Sequence, residues 1–590
     1  MPKYIYDIET DGLLDRLTKV HCITAINLET GERHAARPKE CEDLARLLYE
    51  SDGLIGHNIW GFDNYALSKV YSWWDRTDDR RDSDTIVDTR LIWPQLFEID
   101  ERKISGGADF PRELRGRHSL KAWGMRLGVL KDDYEGGFDT FNEDMFAYAQ
   151  QDVEVTLALW KYIEAQDYSP VARQLEQDVA RIMARQEVTG FPFDEDAAER
   201  LLRDLQGRQA ELHIELADAF PPWEIKTPFI PQVNNKKLGY VKGEVFTKVK
   251  TIVFNPTSRD HIADRLKVLR GWDPKEYTEG GKPKVDETVL TSLPYPEAKL
   301  LAENFLLDKR IGQLAQGSQA WLKKVQSDGR IHGRVNTNHA ITGRASHSSP
   351  NLGQVPGVGA PYGKECRSLF TAPEGRVLIG ADISGLELRC LASYMHRWDK
   401  GCYADEILRG DIHTANMNAL GIQSRSAAKT FIYALLFSAG DAKLGSTVGG
   451  GVEKGRELKA KFFDAIPAMQ YLLTSVRKKA EQQGYLTGLD GRKIQVRAVR
   501  SALNTLLQGA GACISKYWLV EMDRMFRKEN LDVQWHAWVH DEVQLSAPED
   551  IAEQVGEICL QAIRTTGEKL GVNMPLDAEY NIGRNWADTH

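Results

Sequence analysis

The sequence predicts a multidomain α/β protein, on three observations. Residues 1–165 alternate strand and helix signals. Residues 377–395, VLIGADISGLELRCLASYM, read as an apolar strand over 377–380 that delivers Asp382, with a helix opening at Ser384. Residues 535–545, WHAWVHDEVQL, read as two short apolar strands holding His540, Asp541 and Glu542 at a hairpin turn.

Each of these elements has a plain structural reading beside a chemical one. Ser384-x-x-Glu387 also forms a capping box, in which Glu387 closes the first helical turn. The turn at 540–542 lacks the Asn-Gly or Asp-Gly chemistry of a tight hairpin, so acids there cost stability unless they bind something. Two carboxylates on separate strands can hold two Mg2+ ions ~3.5–4 Å apart, the two-metal arrangement for phosphoryl transfer.

At 590 residues the chain is too long for one core. A hydrophobic content of 42% with 27% charged residues describes an ordinary globular protein. The start, MPKYIYDIETDG, enters a strand directly, which predicts no signal peptide, and no apolar run is long enough to span a bilayer. Seven scattered cysteines without a CxxC pair predict reduced thiols in a cytosolic compartment and argue against zinc. A net charge of -9 does not advertise nucleic-acid binding, although an acidic chain can still carry a local basic groove.

In the first segment, Asp7 and Glu9 share one face of the strand Tyr4-Ile5-Tyr6-Asp7-Ile8-Glu9-Thr10, because side chains alternate. A second apolar run ends in His57-Asn58-Ile59-Trp60-Gly61-Phe62-Asp63. An amphipathic helix over 142–163 carries Tyr148 and Asp152 one turn apart. Singly these acids read as solvated surface. In this order, with a Tyr one turn before the last, Asp7, Glu9, Asp63 and Asp152 form a specific pattern for a four-carboxylate metal site.

Residues 166–330 read as mostly helical, with long helices over 169–186 and 195–220. Between 221 and 250 the pattern dissolves, and Lys236, Lys237, Lys242, Lys248 and Lys250 face a single acid, Glu244. That stretch is either a solvated loop or hairpin, or a tip whose lysines lie over duplex backbone. Residues 331–376 are polar and loop-rich, suited to phosphates and minor-groove edges.

The helix predicted over 424–437 puts Arg425, Lys429 and Tyr433 on one stripe, two cations and an aromatic that fit a triphosphate with its sugar and base. Gly450-x-x-x-x-Gly455 is followed by Arg456-Glu457 where a phosphate loop needs Lys-Ser/Thr, so it reads as a glycine-rich turn. A helix over 500–520 bears Arg500, Asn504 and Gln508 on one side, where they could read minor-groove acceptors.

With these residues assembled, the chain resembles the family A (Pol I-like) DNA polymerases over essentially its whole length, in particular the replicative polymerases of T-seven-type bacteriophages. ADISGLELRCLA (381–392) and WVHDE (538–542) are similar to the palm motifs, and RSAAKTFIYALLFSAG (425–440) to the fingers motif. VNTNHAITGRASHSSPNLGQVP (335–356) and LNTLLQGAGA (503–512) are similar to the template-primer motifs. The four acids with Tyr148 match DEDD-type exonucleases. The implied fold is a ribonuclease H-like 3′-5′ exonuclease domain over 1–165, then a right-hand polymerase over 166–590. Its thumb would span about 190–330 and its fingers about 405–495, with the palm in the remainder.

The resemblance implies two Mg2+ ions per active site, with Mn2+ as a substitute. Asp382, the backbone of Ile383, and Asp541 would hold them for synthesis, and Asp7, Glu9, Asp63 and Asp152 for hydrolysis, with Tyr148 positioning the attacking water. His413, Arg425 and Lys429 would hold the triphosphate, Lys429 passing a proton to the leaving pyrophosphate. Glu387 would exclude a ribose 2′-hydroxyl, and Tyr433, where other members carry Phe, implies acceptance of dideoxynucleotides. Arg344, Arg500, Asn504, Gln508 and His540 would contact primer-template DNA. Deoxynucleoside triphosphates are the implied substrates. A helicase-primase and a single-strand-binding protein are the implied partners, and the cytoplasm of a bacterial host is the implied location, without secretion.

Two departures stand out. Phe437-Ser438 occupy the place of the usual Tyr-Gly. The 221–250 stretch is much shorter than the insertion that binds thioredoxin in the phage relatives, which argues against thioredoxin as a partner. The rival readings are an RNA polymerase of the same palm class and an exonuclease on a DNA-binding scaffold that does not synthesise.

Overall fold

The computed structural model describes residues 1–96, 110–129, 134 and 136–590. The chain divides into two compact units, one of Met1–Pro192, His332–Gly357 and Phe370–His590, the other of Phe193–Ile331 and Val358–Leu369.

The first unit opens with a five-stranded sheet. Its strands are β1 (Lys3–Thr10), β2 (Val20–Asn27), β3 (Arg33–Ala36), β4 (Gly53–Gly56) and β5 (Ser83–Asp84), in the order β3-β2-β1-β4-β5. β1 runs antiparallel to β2, with Asp7 opposite Thr24 and Glu9 opposite Cys22, and parallel to β4. β2 is buried along its whole length, as expected for a strand covered on both faces.

Helix α1 (Asp63–Val70) follows β4, and α2 (Thr85–Ile92) follows β5 with Asp84 as its N-cap. Helix α3 (Glu143–Glu164) starts one residue after the sequence expectation, because Asn142 is the cap: its Oδ1 accepts from the Met145 N–H at 2.8 Å. Met145, Ala149, Asp152, Thr156, Leu159 and Ile163, spaced three and four apart, form its buried stripe. The Thr24 hydroxyl donates to the Ala149 carbonyl at 2.9 Å, fixing the turn that carries Tyr148 and Asp152 over β2. Helix α4 (Pro170–Thr189) ends this stretch of the unit.

The second unit is built on α5 (Glu195–Ala219), which buries Ala198, Leu205, Leu212 and Leu216 along one side. Where the sequence pattern dissolves, the chain forms a hairpin of β6 (Trp223–Phe229) and β7 (Phe246–Ile252), paired from Trp223–Ile252 to Phe229–Phe246. This ribbon is almost wholly exposed, so burial imposes no hydrophobic alternation that a sequence reading could detect. Its far end is an aromatic cluster, Tyr240 lying 5.5 Å from Phe229 and 4.7 Å from Phe246, with Lys248 Nζ 3.7 Å over the Phe229 ring. Helix α6 (Arg259–Arg270) is capped by Ser258, and α7 (Pro296–Ile311) sends Glu303 to Arg208 of α5.

The first unit resumes with two short paired strands, β8 (Arg334–Asn336) and β9 (Ser346–Ser348). A four-stranded antiparallel sheet then takes its centre from β10 (Val377–Ile383), with β11 (Gln534–Val539), β12 (Glu542–Ala547) and β13 (Ala578–Gly583) in the order β11-β12-β10-β13. β10 runs three residues past the expected end at Gly380, so Asp382 sits within the strand, opposite Glu542.

Helix α8 (Leu386–Asp399) does not form the capping box that Ser384 and Glu387 offered as the plain alternative. Its N-cap is Gly385 at φ 57°, without a side-chain cap bond, which leaves Glu387 free of that duty. The helix Arg425–Leu436, α9, begins at the cap Ser424, as its sequence pattern indicates. Helix α10 (Ala502–Lys528) starts later than expected, and Arg500 lies in the single 3-10 turn Val499–Ser501 ahead of it. α10 buries twenty of its residues, among them Trp518, whose indole donates to the Cys559 carbonyl at 2.8 Å.

Candidate carboxylate centres and a cation-bearing helix

Strand alternation puts Asp7 and Glu9 on the face of β1 that Asp152 of α3 meets. A carboxylate oxygen from each lies within 4.8 Å of the other two. Three oxygen donors with no sulfur or imidazole among them suit a hard divalent cation such as Mg2+ or Mn2+. Asp63, the fourth expected member, lies outside that set. It is buried at the first turn of α1, where burial and then the charges of Asp84 and Asp152 push its carboxyl up to about 7. Asp84, which the sequence reading passed over, accepts from the Asn58 and Ile86 N–H groups at 2.7 and 3.0 Å and so shapes the chain leading to Asp63. Tyr148 stands on α3 with its ring 5.7 Å from that of Tyr134.

The second centre grows from the sheet β11-β12-β10-β13. β11 and β12 pair to Val539–Glu542, leaving His540 and Asp541 as the turn, with His540 at φ 60°. The Ile383 N–H donates to the Asp541 carbonyl at 3.0 Å, which ties that turn to the strand carrying Asp382. Burial, then the charges of Asp541 and Glu542, push Asp382 up to about 7. Burial, then Glu387, push Asp541 up to about 6. These half-buried anions repel one another, and an oxygen-liganded cation would relieve that repulsion. Glu542 itself is occupied structurally: it is buried and accepts from Gln544 Nε2 and from the Trp586 indole.

Asp541, His540, Glu387 and Arg344 line one cavity of about 110 Å³, together with Gly511 and Ala512 of α10. Arg344 Nη2 donates to Glu387 Oε1 at 3.1 Å. On α10, Asn504 and Gln508 are half-buried positions one turn apart on a helix that is otherwise largely buried.

On α9, Arg425 and Lys429 are exposed and Tyr433 is half-buried. Burial, then the charges of Glu387 and Asp541, raise the Tyr433 hydroxyl, so this residue lies within electrostatic reach of the second carboxylate centre. His413 lies 6.2 Å from Tyr433, ring to ring, and burial with the Lys429 and Arg425 charges lowers its imidazole. Arg425 is not a free cation. Its guanidinium pairs with Asp411, whose carboxyl is driven far below the usual range by that bond. Asp411 is also the N-cap of its own helix, accepting from the His413 N–H, a signal that the stretch Gly410-Asp411-Ile412 offered and the sequence reading did not use. Phe437 ends α9 exposed, and Ser438 follows at φ 62°.

An antiparallel sheet presenting two carboxylates beside a cation-bearing helix, behind an α/β unit with its own acid cluster, defines the right-hand nucleic-acid polymerases with an attached nuclease-type domain. Residues 232–588 match the model of DNA polymerase family A. The DNA-directed DNA polymerases of Enterobacteria phage T3 and Escherichia phage T7 are each 37% identical, over 99% of this chain and all of theirs. The POL domain of Pol1 from M. smegmatis, solved in complex with DNA primer-template and dNTP, shares the fold at a TM-score of 0.75. That likeness covers 99% of this chain and 96% of that one at 18% identity. The chain belongs to the family A DNA polymerases. The alignments to the two phage enzymes run over 704 positions against 590 residues here, so those relatives carry segments that this chain lacks.

Proposed function

We infer that the chain is a template-directed DNA-dependent DNA polymerase with a 3′-5′ proofreading exonuclease. The observation that carries this reading is the convergence of Asp382 and Asp541 beside Tyr433 and Glu387, within a chain 37% identical to phage DNA polymerases over their whole length. We assign the exonuclease to 1–165 and the polymerase to 166–590, with thumb about 190–330, fingers about 405–495 and the palm in the remainder.

Asp382, Asp541 and the Ile383 carbonyl would hold two Mg2+ ions at the polymerase site, and Asp7, Glu9 and Asp152, with Asp63 adjoining, the ions of the exonuclease. Such ions, when bound, offset the charge of the phosphates and favour ionisation of the primer hydroxyl or of the attacking water. The protein's own residues do the rest. Arg425, Lys429 and His413 hold the triphosphate, and Lys429 passes a proton to the pyrophosphate as it leaves. For that, Arg425 exchanges Asp411 for phosphate oxygens, an anion swap that keeps its charge paired. Tyr433 lies along the sugar and base, and Glu387 closes the space a 2′-hydroxyl would need. Arg344, Arg500, Asn504, Gln508 and His540 face the primer-template duplex. In the second unit, Lys236, Lys237, Lys242, Lys248 and Lys250 supply counterion-releasing contacts to the DNA backbone. Helicase-primase and single-strand-binding protein are the proposed replication partners in a bacterial host's cytoplasm; the short 221–250 stretch argues against thioredoxin.

The test is extension of a labelled primer with a mismatched 3′ end. Trimming followed by full extension with deoxynucleotides, and not with ribonucleotides, is the expected result, and Asp382→Ala and Asp541→Ala should each abolish extension. Trimming that continues while the wild-type enzyme never extends would instead make it an exonuclease on a DNA-binding scaffold.

A further inference from the structure

The turn that carries Asp541 contains a conformational liability. His540 adopts φ 60°, a left-handed conformation that side chains other than glycine's disfavour. Only the first of the two turn residues has positive φ, and a two-residue hairpin usually places glycine there. Left to its local preferences, the His540–Asp541 peptide would rotate and re-aim the Asp541 carboxylate.

What opposes that rotation comes from α10. Ser515, 1% exposed, donates its hydroxyl to the His540 carbonyl at 2.5 Å. The Trp538 indole N–H is shared between Ser515 Oγ and the same carbonyl, at 2.9 Å each. A serine inside a helix usually returns its hydroxyl to the carbonyl four residues back. Ser515 gives it to the turn instead. On the other side, the Asp541 carbonyl accepts from Ile383, the neighbour of Asp382. The turn is thus pinned at both carbonyls, one to α10 and one to β10. Ser515 does not line the cavity that Asp541, Glu387 and Arg344 share, although Gly511 and Ala512, one turn earlier on the same helix, do.

We propose that Ser515 is a positioning residue for nucleotide addition: with Trp538 it holds the His540 carbonyl and so fixes where Asp541 points relative to Asp382. The inference rests on the reading of Asp382 and Asp541 as the metal-holding pair of the polymerase site.

The full-length enzyme tests it. Ser515→Ala should lower kcat for single-nucleotide addition by about 3- to 10-fold, the worth of one hydrogen bond, with KM for the nucleotide unchanged. Exonuclease turnover on single-stranded DNA should stay at the wild-type rate. Ser515→Thr, which keeps the hydroxyl, should restore kcat. Mn2+ titration without nucleotide, followed by electron paramagnetic resonance, should show weakened binding at one class of site and none at the class that Asp7→Ala removes. A fall in melting temperature with kcat and Mn2+ binding intact would overturn the proposal by reducing Ser515 to a packing residue. A rise in KM with constant kcat would overturn it too. If Asp541→Ala still extends primers, the underlying reading of the site fails; if Asp541→Ala is inert and Ser515→Ala is unaffected, only the present inference fails.

Discussion

Arg344 and Glu387 are ion-paired, Nη2 to Oε1 at 3.1 Å, across the cavity that also holds Asp541. The family resemblance implies separate tasks for the two, a contact to the primer and a gate on the sugar. Their pairing makes each the support of the other: the guanidinium holds the Glu387 carboxylate in one rotamer, where its bulk and charge can exclude a hydroxyl. Shortening it to alanine opens space and releases Arg344. Glu387→Ala should reduce the preference for deoxynucleotides over ribonucleotides by about 10- to 100-fold, read as the ratio of kcat/KM values. Glu387→Gln, which preserves shape and can still accept from Arg344, should retain most of it. Equal loss in both variants would show that charge, not shape, makes the gate.

The raised carboxyl of Asp382 predicts how the metal-free enzyme responds to pH. Its folded value is about 7, against 3.8 for an ordinary aspartate carboxyl. The folded state therefore binds the proton more tightly than the unfolded chain does. The stability this contributes is full below about pH 4 and is lost as pH rises through about 7. In a chelator, the melting temperature should fall between pH 5.5 and pH 8, values chosen as roughly bracketing that upper limb. Asp541 and Asp63, at about 6 and about 7, act in the same direction. Asp382→Asn should flatten the slope without abolishing it, and added Mg2+ should raise the melting temperature more at the higher pH. A slope unchanged by Asp382→Asn would remove that carboxyl from the account.

Tyr433 stands half-buried where Glu387 and Asp541 both reach it electrostatically. A phenol at that position can supply a polar contact where a dideoxynucleotide lacks its 3′-hydroxyl. The wild-type enzyme should therefore terminate efficiently on dideoxynucleotides, and Tyr433→Phe should raise discrimination against them by at least about 10-fold. Primer extension with mixed deoxy- and dideoxynucleotides reads the ratio directly. Strong discrimination by the wild type would refute the role given to the hydroxyl.

Ser438 stands at a position whose backbone conformation favours glycine. α9 closes with the Ser438 N–H on the Leu435 carbonyl and the Ala439 N–H on the Ala434 carbonyl, and the residue between them is left-handed at φ 62°. Ser438→Gly should stabilise the protein by about 1 kcal/mol, measured by urea denaturation. No gain would mean that the serine side chain compensates for its own backbone cost.

Much of this molecule was legible in the sequence because the signals were local. Alternation placed Asp7 and Glu9 together, the four-residue step placed Arg425, Lys429 and Tyr433 together, and Asn142, Ser169 and Ser424 announced their helices. What the sequence leaves open or passes over depends on backbone conformation, on exposed strands without a period, and on contacts far apart in the chain. The plain alternative for Glu387, a cap paired with Ser384 three residues before it, does not form, because Gly385 starts that helix in a left-handed conformation that no spacing rule reveals. The ribbon Trp223–Phe229 with Phe246–Ile252 buries too little to show a period. The partners Asp411 of Arg425, Arg344 of Glu387 and Ser515 of His540 are set by tertiary packing, 14, 43 and 25 residues away.

A contact of longer range than any of these, between Glu176 and Lys516, yields the strongest stability prediction. Glu176 of α4 is fully buried and accepts from Lys516 Nζ at 2.5 Å and from Arg492 Nη1 at 2.8 Å, while Arg492 also pairs with Asp490 at 2.6 Å. Two anions and two cations balance. Arg492 Nη1 also lies 2.9 Å from where a Cβ on Gly343 would be, so the cluster underlies the loop that presents Arg344. Glu176→Gln leaves an uncompensated buried positive charge and should cost about 3–5 kcal/mol in chemical denaturation. Burial already holds the Lys516 ammonium down to about 8, against 10.5 for an ordinary lysine. Without Glu176 it should shed its proton on folding, and that cost shrinks as pH rises toward 10.5. The loss in Glu176→Gln should therefore be smaller at pH 9 than at pH 6, two points on the roughly linear limb below the unfolded value. Adding Lys516→Met, which leaves Arg492 and Asp490 as a neutral pair, should recover most of the stability at either pH. A single variant that loses less than about 1 kcal/mol would mean that water reaches the cluster and screens it.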